Sequence, residues 1–402
     1  MTYDVDAVRA HFPSLQSGIA HFDGPGGSQT PDVVAAAVAD TLTASIANRG
    51  DVTQAERNAD AVVLSARAAV ADLVGGDPPG VVFGRSMTQL TYDVSRALAK
   101  AWGPADEVVV SRLDHDANVR PWVQAAMAVG ATIRWAEFDR ATTELTVDAV
   151  REVLSPSTML VAVTGASNLL GTRPDIAGIA AAVHETGAFL YVDGVHLTPH
   201  AAVDVAALGA DFYACSPYKF LGPHLGAVVA RPQLWETLHP DKLAPSTDAV
   251  PERFELGTLP YELLAGVTAA VEFHASFGDL PESAARRERV LAGMAALEAH
   301  EDALRKRLDD GLAAIPGVTV HSRAADRTPT VLVTFDGREA EAAYRFLAER
   351  GVNAPSGTFY AYEPALALGL GEVGGLRAGL APYSTEDDVE RLLTGLAAFV
   401  AA

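Results

Sequence analysis

The sequence predicts an α/β protein in which a large domain contains a mostly parallel, seven-stranded sheet and a smaller domain is α+β. Between residues 80 and 230, short apolar runs alternate with segments of helical spacing, the rhythm of βαβ units with helices on both faces of a sheet. After residue 281 a long helical segment precedes an α+β pattern. We therefore assign residues 19–281 to the large domain and residues 1–18 and 282–402 to the small one.

Bulk composition limits the possible functions. The chain has 402 residues, 49% of them hydrophobic, which suffices for a large core in two domains. Its formal net charge of −21, from 51 acidic and 30 basic residues, disfavours nucleic acid or an anionic membrane as main partner. The single cysteine excludes an intramolecular disulfide and a cysteine-based zinc site. The chain lacks a signal-peptide pattern and an apolar stretch of about 18 residues, so we expect a soluble cytoplasmic protein.

The N-terminal part combines helices with a glycine-rich loop. Helices are predicted over residues 5–12, 31–46 and 55–74. Between the first two lies the segment Ala20–Ser28, whose glycines and proline predict a loop. Such a loop is either a plain surface turn or a place where backbone approaches a ligand closely, and the pattern leaves both open.

A strand–turn–helix unit follows, with a strand over residues 80–84 and a helix from Leu90 to Trp102. Ser86 or Thr88 in the turn is well placed to cap the helix. The free N–H groups and the dipole at a helix N-terminus favour a phosphate group. The turn is therefore a candidate phosphate site as well as an ordinary cap.

The rest of the chain continues in the same manner. Further strands of the large sheet are predicted over residues 107–111, 131–136, 159–164, 188–192, 212–215 and 225–230. The predicted helices among these strands are one that ends at Val129 and one over 175–186. The remaining predicted elements are a helical region over 261–314 with a break at 278–281, strands over 318–321 and 330–335, a helix over 339–349, a loop over 353–362, a further segment over 375–380 and a helix over 385–401.

Candidate catalytic residues follow two of the predicted strands. Asp193 follows the apolar run 188–192, and Ser216 and Lys219 follow the run 212–215. In an open α/β sheet ligands bind at the carboxyl ends of strands, so these side chains are expected to face one crevice. A lysine in a partly desolvated pocket can form a Schiff base, and an aspartate nearby could hold a pyridine nitrogen protonated, as a pyridoxal phosphate (PLP) site requires. A snorkelling lysine beside a buried, hydrogen-bonded aspartate is the alternative.

Three motifs carry a family resemblance. They are Val192–Gly194, Ser216–Lys219 with Gly222-Pro223 after it, and Leu376–Thr385. In this order, and with Asp193 and Lys219 separated by 26 positions (219 − 193), the combination is specific. Over nearly its whole length the chain resembles the class V aminotransferase family of fold-type-I PLP enzymes, in particular its cysteine desulfurase-like branch. The resemblance implies a PLP cofactor, a small amino-acid substrate and a homodimer.

The resemblance also implies roles for individual residues. Lys219 would form the Schiff base and move protons at the substrate Cα, Asp193 would pair with the pyridinium nitrogen, and His115 would stack on the ring. The other implied cofactor contacts are Ser86, Met87, Thr88, Asn168, His196, Ser216, Tyr218 and, donated by the partner subunit, Thr258. Asn168 and Arg377 match the groups that fix the substrate carboxylate, which a guanidinium can bind through both oxygens. Tyr360 and Arg49 are expected to lie in clefts that set substrate specificity.

Three positions depart from the family pattern. His196 stands where the family usually has Gln and Tyr218 where it has His, and both can still hydrogen-bond to the cofactor. Cysteine desulfurases carry a nucleophilic Cys in a loop before the arginine motif, whereas the loop 355–361 here holds aromatic residues. Cys215, the only cysteine, is expected to be a small buried hydrophobic residue in a strand. Persulfide formation therefore lacks a thiol acceptor.

The favoured function is a PLP-dependent lyase or transferase that acts on a small amino acid through Lys219, as a C–S lyase or desulfurase-like enzyme without a persulfide-forming cysteine. Transamination and epimerisation begin with the same Cα deprotonation, so both stay open. A catalytically inactive binding protein of the same fold is another alternative.

A metal-dependent hydrolase is a further alternative, and its ligands would come from Asp114, His115, Asp116, Asp193, His196 and His200. We disfavour it, because Pro199 breaks the helix that the spacing of His196 and His200 requires.

Overall fold

The structure, a computed structural model, describes residues 3–402. Helices α1 to α14 span Val5–Arg9, Asp32–Thr43, Gln54–Val74, Met87–Ala99, Arg120–Val129, Val147–Arg151, Ile176–His184, Val205–Leu208, Pro232–Glu236, Tyr261–Ala275, Arg286–Ala313, Ala340–Ala348, Tyr362–Ala367 and Glu386–Ala401. Strands β1 to β13 span Ala20–His21, Val81–Gly84, Glu107–Ser111, Thr132–Ala136, Thr158–Thr164, Phe189–Asp193, Phe212–Cys215, Gly226–Ala230, Val318–Val320, Thr330–Phe335, Val352–Asn353, Ser356–Gly357 and Gly375–Gly379. Within residues 3–402, none of the helices has the length and apolarity of a membrane span.

The large sheet has seven strands in the order β2-β8-β7-β6-β5-β3-β4. Strand β8 runs antiparallel to both of its neighbours, and the other pairs are parallel. The predicted mostly parallel, seven-stranded sheet is therefore confirmed. All residues of β7 and β8 are buried, as expected where helices cover both faces of a sheet. Because β6 and β7 are parallel, the chain leaves both strands at the same edge, at Asp193 and at Cys215.

A second, antiparallel sheet has the strand order β12-β13-β10-β9, and β1 pairs in parallel with β11. Ala20 and Phe22 are buried in one hydrophobic cluster with residues of the C-terminal half. The loop predicted over Ala20–Ser28 is therefore wrong at its first two residues, which form β1. A strand of two residues shows no alternation that a sequence pattern could reveal. The division into residues 19–281 and the remainder stays a prediction.

The boundaries of several helices and strands differ from the predicted ones. Helix α4 begins at Met87 rather than Leu90, because the side chain of Ser86 caps it. The loop predicted over residues 353–362 is wrong in part, since β11 ends at Asn353, β12 lies within it and α13 begins at Tyr362. The pattern also did not indicate the short helices α6, α8 and α9, because one or two turns supply too few periodic positions.

Candidate active site

A cavity lies at the carboxyl ends of β5, β6 and β7. The predicted site residues that line it are Ser86, Met87, Thr88, His115, Asn168, Asp193, His196, Ser216, Tyr218 and Lys219. Four further lining residues were not indicated by the sequence: Ala117, Thr164, Ala166 and Val195. A fifth, Pro25, belongs to the segment Ala20–Ser28, for which the pattern left a close approach to a ligand open. Thr164 is the last residue of β5, so its place at a strand end was a usable signal.

Lys219 occupies the short 3₁₀ turn that follows β7. Its Nζ donates a hydrogen bond to the carbonyl of Pro25, in the glycine-rich segment near the N-terminus. Burial, helped by the charge of Arg377 and opposed by Asp193, lowers the pKa of Lys219 to about 7. Near neutral pH a large share of the amine is therefore unprotonated and can act as a nucleophile or a base.

Asp193 is the last residue of β6 and is almost completely buried. Its Oδ1 accepts a hydrogen bond from the backbone N–H of Val195 at 3.0 Å. Burial raises the pKa of Asp193 to about 6, while the Val195 N–H and the charge of Lys219 act in the opposite direction. The carboxylate form therefore predominates at neutral pH, and its charge is available to a cationic nitrogen in the cavity.

A second acid, Asp114, lies fully buried close to Asp193. Its Oδ1 accepts from Asn118 Nδ2 at 2.7 Å, and its Oδ2 shares a hydrogen bond with the hydroxyl of Ser111. Burial, with the charge of Asp193 as a lesser cause, raises the pKa of Asp114 to about 8. The residue considered as a metal ligand is thus a neutral member of a hydrogen-bond network that fixes the chain beside His115.

Two histidines line the cavity in neutral form. Nδ1 of His115 accepts from the N–H of Ala117 at 3.0 Å, which leaves the proton on Nε2. Burial is the main reason that the pKa of His115 falls to about 4. Nε2 of His196 lies 3.0 and 3.1 Å from the hydroxyls of Thr330 and Thr328. This nitrogen already has two partners from the C-terminal half, so the predicted bond of His196 to a cofactor hydroxyl stays a prediction.

The N-terminus of α4 forms one wall of the cavity. The hydroxyl of Ser86 accepts from the N–H of Gln89 at 3.1 Å, and Met87 and Thr88 supply the first helical N–H groups, which have no partner within a helix. Only glycine allows β8 to approach this turn, because a Cβ at Gly226 would lie 2.0 Å from the nitrogen of Met87. The turn matches the geometry of an anion site at a helix N-terminus.

Arg377, in β13, is a buried cation with few partners. Its Nη1 donates to the carbonyl of Asn168 at 2.9 Å, while its Nε and Asn168 Oδ1 have no hydrogen-bond partner among residues 3–402. Burial lowers the pKa of Arg377 to about 9, so the guanidinium remains charged at neutral pH. Its Cζ lies 3.7 Å from the ring centroid of Phe359. Because buried polar atoms are normally paired, these two unpaired atoms indicate a polar ligand.

Three further predicted site residues lie outside the cavity lining, as Arg377 does. Tyr360 is 77% exposed, and its ring centroid lies 5.7 Å from that of His115. Arg49 pairs with two carboxylates, each at 2.8 Å, which already balance its charge. Thr258 lines a separate cavity beside Arg85. Their predicted contacts with substrate or cofactor therefore need another conformation or another subunit.

Cys215 is completely buried, and burial raises the pKa of its thiol to about 12. Within residues 3–402, no group of three His, Cys, Asp or Glu side chains is arranged to hold a metal ion. His200, considered as a metal ligand, pairs instead with Glu301 at 2.9 Å. Lys219 and Asp193 belong to the cavity lining, and Arg377 lies close enough for its charge to lower the pKa of Lys219.

Known proteins resemble this chain over nearly its whole length. The sequence model of the family described as aminotransferase class-V matches residues 20–392. The chain belongs to the class V aminotransferase family. The uncharacterized protein MT3887 of Mycobacterium tuberculosis is 36% identical to it over 401 residues, 99% of each chain. The aminotransferase-like protein FGM3 of Gibberella zeae is 32% identical over 416 residues, 98% of each chain.

A solved structure supports the cysteine desulfurase-like branch. The crystal structure of the cysteine desulfurase CsdA from Escherichia coli, in its S-sulfonic acid form, matches with a TM-score of 0.87 and 27% identity over 98% of each chain. Class V aminotransferases use pyridoxal 5′-phosphate, so this chain is a PLP-dependent enzyme of fold type I. The predicted fold class, family and cofactor are thereby confirmed.

Proposed function

We propose that the chain holds PLP through Lys219 and acts on a small α-amino acid as a C–S lyase or desulfurase-like enzyme that needs no persulfide-forming cysteine. One observation carries the proposal: the half-buried Lys219 and the buried Asp193 line the same cavity. Arg377 is close enough for its charge to lower the pKa of Lys219, and it has an unpaired Nε.

The cavity offers a donor set that fits PLP. Lys219 supplies an amine for the aldehyde, and Asp193 supplies a carboxylate for the ring nitrogen. The phosphate would be held by the N–H groups that begin α4 and by the hydroxyl groups of Ser86, Thr88 and Ser216. The neutral ring of His115 is available to stack on the pyridine. When bound, PLP supplies an electron sink for negative charge that develops at the substrate Cα.

Each protein group has a separate task in this proposal. Arg377 binds the substrate carboxylate and so orients the Cα–H bond. Lys219 removes the Cα proton, a task for which a pKa of about 7 is well matched near neutral pH. Asp193 stays ionised above its pKa of about 6 and keeps the ring nitrogen cationic.

The position of Cys215 determines how sulfur would leave. Its thiol is buried within β7 and has a pKa raised to about 12, so it supplies neither access nor a thiolate near neutral pH. In β-elimination, Lys219 takes the Cα proton, the Cβ–S bond breaks, and the sulfur leaves with the bonding electrons. Water then hydrolyses the remaining dehydroamino acid, so the released products are sulfide or a thiol, pyruvate and ammonia, with no sulfur bound to the protein.

A substrate survey of the PLP-loaded enzyme tests the proposal. Incubation with cysteine and with an S-substituted cysteine should release pyruvate together with sulfide or the matching thiol. Lys219→Ala should lose both these products and the visible absorption band of bound cofactor, which borohydride treatment of the wild type should also remove. Persulfide on the protein, detected by mass spectrometry, would refute the sulfur route.

Aminotransfer is the second candidate, favoured by the name of the aminotransferase-like relative FGM3. Its signature is transfer of the amino group to an added keto acid without release of sulfide. Epimerisation would instead exchange the Cα hydrogen for solvent deuterium with no net product. A wild-type protein that never develops a visible band with PLP would support an inactive binding protein.

A further inference from the structure

Two successive aromatic residues near the cavity have an unusual backbone. Phe359 and Tyr360 both lie in the left-handed region, with φ of 54° and 58°. This conformation is strained for bulky side chains and persists only where the surroundings enforce it. Strain of this kind concentrates at ligand-binding sites. The segment also stands where the sequence lacks the cysteine expected of a desulfurase.

Residues that follow strands of the large sheet hydrogen-bond to this backbone and hold it in place. Asn168 Nδ2 donates to the carbonyl of Phe359 at 3.0 Å, and the N–H of Asp116 donates to the carbonyl of Tyr360 at 2.7 Å. Just beyond, the buried carboxylate of Glu363 binds two guanidinium groups. The segment is therefore held at both of its strained residues and at the start of α13.

The enforced backbone places the ring of Phe359 against Arg377. The guanidinium carbon lies 3.7 Å from the ring centroid, which is a close cation–π contact. The guanidinium donates one hydrogen bond, from Nη1 to the carbonyl of Asn168, and lies near the charge of Asp23. With so few hydrogen bonds, the plane of the guanidinium depends on the ring that covers it.

We infer that Phe359 is a positioning residue, whose ring holds the guanidinium of Arg377 in the orientation that receives the substrate carboxylate. The inference rests on the proposed function, because it assigns Arg377 to that carboxylate. The hydrogen bonds of Arg377 alone leave its guanidinium loosely fixed, so an aromatic ring on one side is needed to orient it. This need explains why the strained backbone of Phe359 is retained.

Space-filling is the competing role, since Phe359 also packs against the hydrophobic core of the large sheet. Two substitutions separate the roles. Phe359→Leu keeps an apolar side chain but removes the aromatic face, whereas Phe359→Tyr keeps the face. Both place a non-glycine residue on the same left-handed backbone, so the backbone cost is comparable.

Amino-acid binding to the PLP-loaded enzyme, followed by the spectral change of the cofactor, is the main test. Phe359→Leu should weaken binding of cysteine about tenfold, the scale of a desolvated cation–π contact, with KM raised more than kcat is lowered. Cysteamine, which lacks the carboxylate, should bind the variant and wild type equally. Phe359→Tyr should restore cysteine binding.

A second readout does not depend on activity. An arginine-selective dicarbonyl reagent, with sites mapped by peptide mass spectrometry, should label Arg377 faster in Phe359→Leu than in wild type or Phe359→Tyr. Phe346→Leu is the matched control, because it removes a cation–π contact of 3.5 Å with Arg350 elsewhere in the chain. It should change neither Arg377 labelling nor cysteine binding.

The inference is overturned if Phe359→Leu matches wild type in both readouts, or if Phe359→Tyr is as impaired as Phe359→Leu. Equal weakening of cysteine and cysteamine would also overturn it, since the effect would then not pass through the carboxylate. If wild type binds no amino acid at all, the proposed function fails, while Arg377 labelling still decides the role of Phe359.

Discussion

Burial sets the protonation states of the ionisable residues around the cavity. It lowers the pKa of the bases, to about 7 for Lys219 and about 4 for His115. It raises the pKa of the acids, to about 6 for Asp193 and about 8 for Asp114. Both directions follow because a low-dielectric environment disfavours the charged form. At neutral pH the site therefore combines a partly neutral lysine with one ionised and one protonated carboxyl group.

The lowered pKa of Lys219 predicts how fast the apoprotein captures PLP. The neutral amine is the nucleophile, so the rate should rise about tenfold per pH unit below pH 7 and level off above it. Stopped-flow recording of the visible band measures this rate. Lys219→Arg, which stays cationic, should give no band. A rate that keeps rising up to the ordinary lysine pKa of 10.5 would contradict the prediction.

The raised pKa of Asp114 predicts a stability effect. The folded state binds this proton more tightly than the unfolded chain, so the free energy of unfolding should fall as pH rises from about 4 towards about 8, by up to about 1.4 kcal/mol per pH unit. Asp114→Asn keeps a hydrogen-bonding side chain of the same shape but cannot ionise. Its unfolding free energy in urea should therefore depend less on pH. Parallel pH profiles for variant and wild type would refute the assignment.

At the scale of elements, the sequence pattern indicated the strands that are buried on both faces but not the shortest strands. Strands β5, β6 and β7 are continuous apolar runs that end in polar residues, so their ends and the residues there could be predicted. Strands β11 and β12 have two residues each and carry no periodic signal. The approach of β8 to α4 joins Gly226 and Met87, which are 139 positions apart (226 − 87), and no local pattern shows it.

That approach predicts the effect of Gly226→Ala. The new Cβ would lie 2.0 Å from the nitrogen of Met87, so the turn that begins α4 must move. Overpacking of this kind costs about 1–3 kcal/mol of unfolding free energy, and the displaced N–H groups should weaken PLP binding. Denaturation curves and PLP titration measure the two effects. Gly103→Ala is the control, because nothing lies within 4 Å of its added Cβ; a Gly226 variant as stable as this control would contradict the prediction.

At the scale of the whole molecule, the site is completed where the two halves of the chain meet. Arg377 donates a hydrogen bond to the backbone of Asn168, and His196 is hydrogen-bonded to the hydroxyl of Thr330. Residues more than 130 positions apart in the sequence therefore meet at the candidate active site. Sequence spacing says nothing about such contacts. Only the family resemblance brought Arg377 into the predicted site, and neither spacing nor resemblance indicated that Phe359 would cover it.

The homodimer is a further proposal at this scale. Thr258 is exposed and lies outside the cavity of its own chain, and the neighbouring Leu256 is 55% exposed. Both features are expected of a segment that contacts a second copy. If Thr258 reaches the phosphate of the partner's PLP, Thr258→Ala should weaken cofactor binding about 10- to 100-fold, the range for a hydrogen bond to a charged group. Fluorescence titration with PLP measures this loss.

Mixing two variants tests whether Thr258 acts across the interface. Lys219→Ala destroys the site of its own subunit but can still donate Thr258, whereas Thr258→Ala keeps Lys219 but donates nothing. A mixed dimer would therefore contain one site with both groups, and co-refolded variants should recover tight PLP binding and the visible band in part. If Thr258 instead served its own subunit, no intact site could form and mixing would restore nothing, because each chain would carry its own lesion.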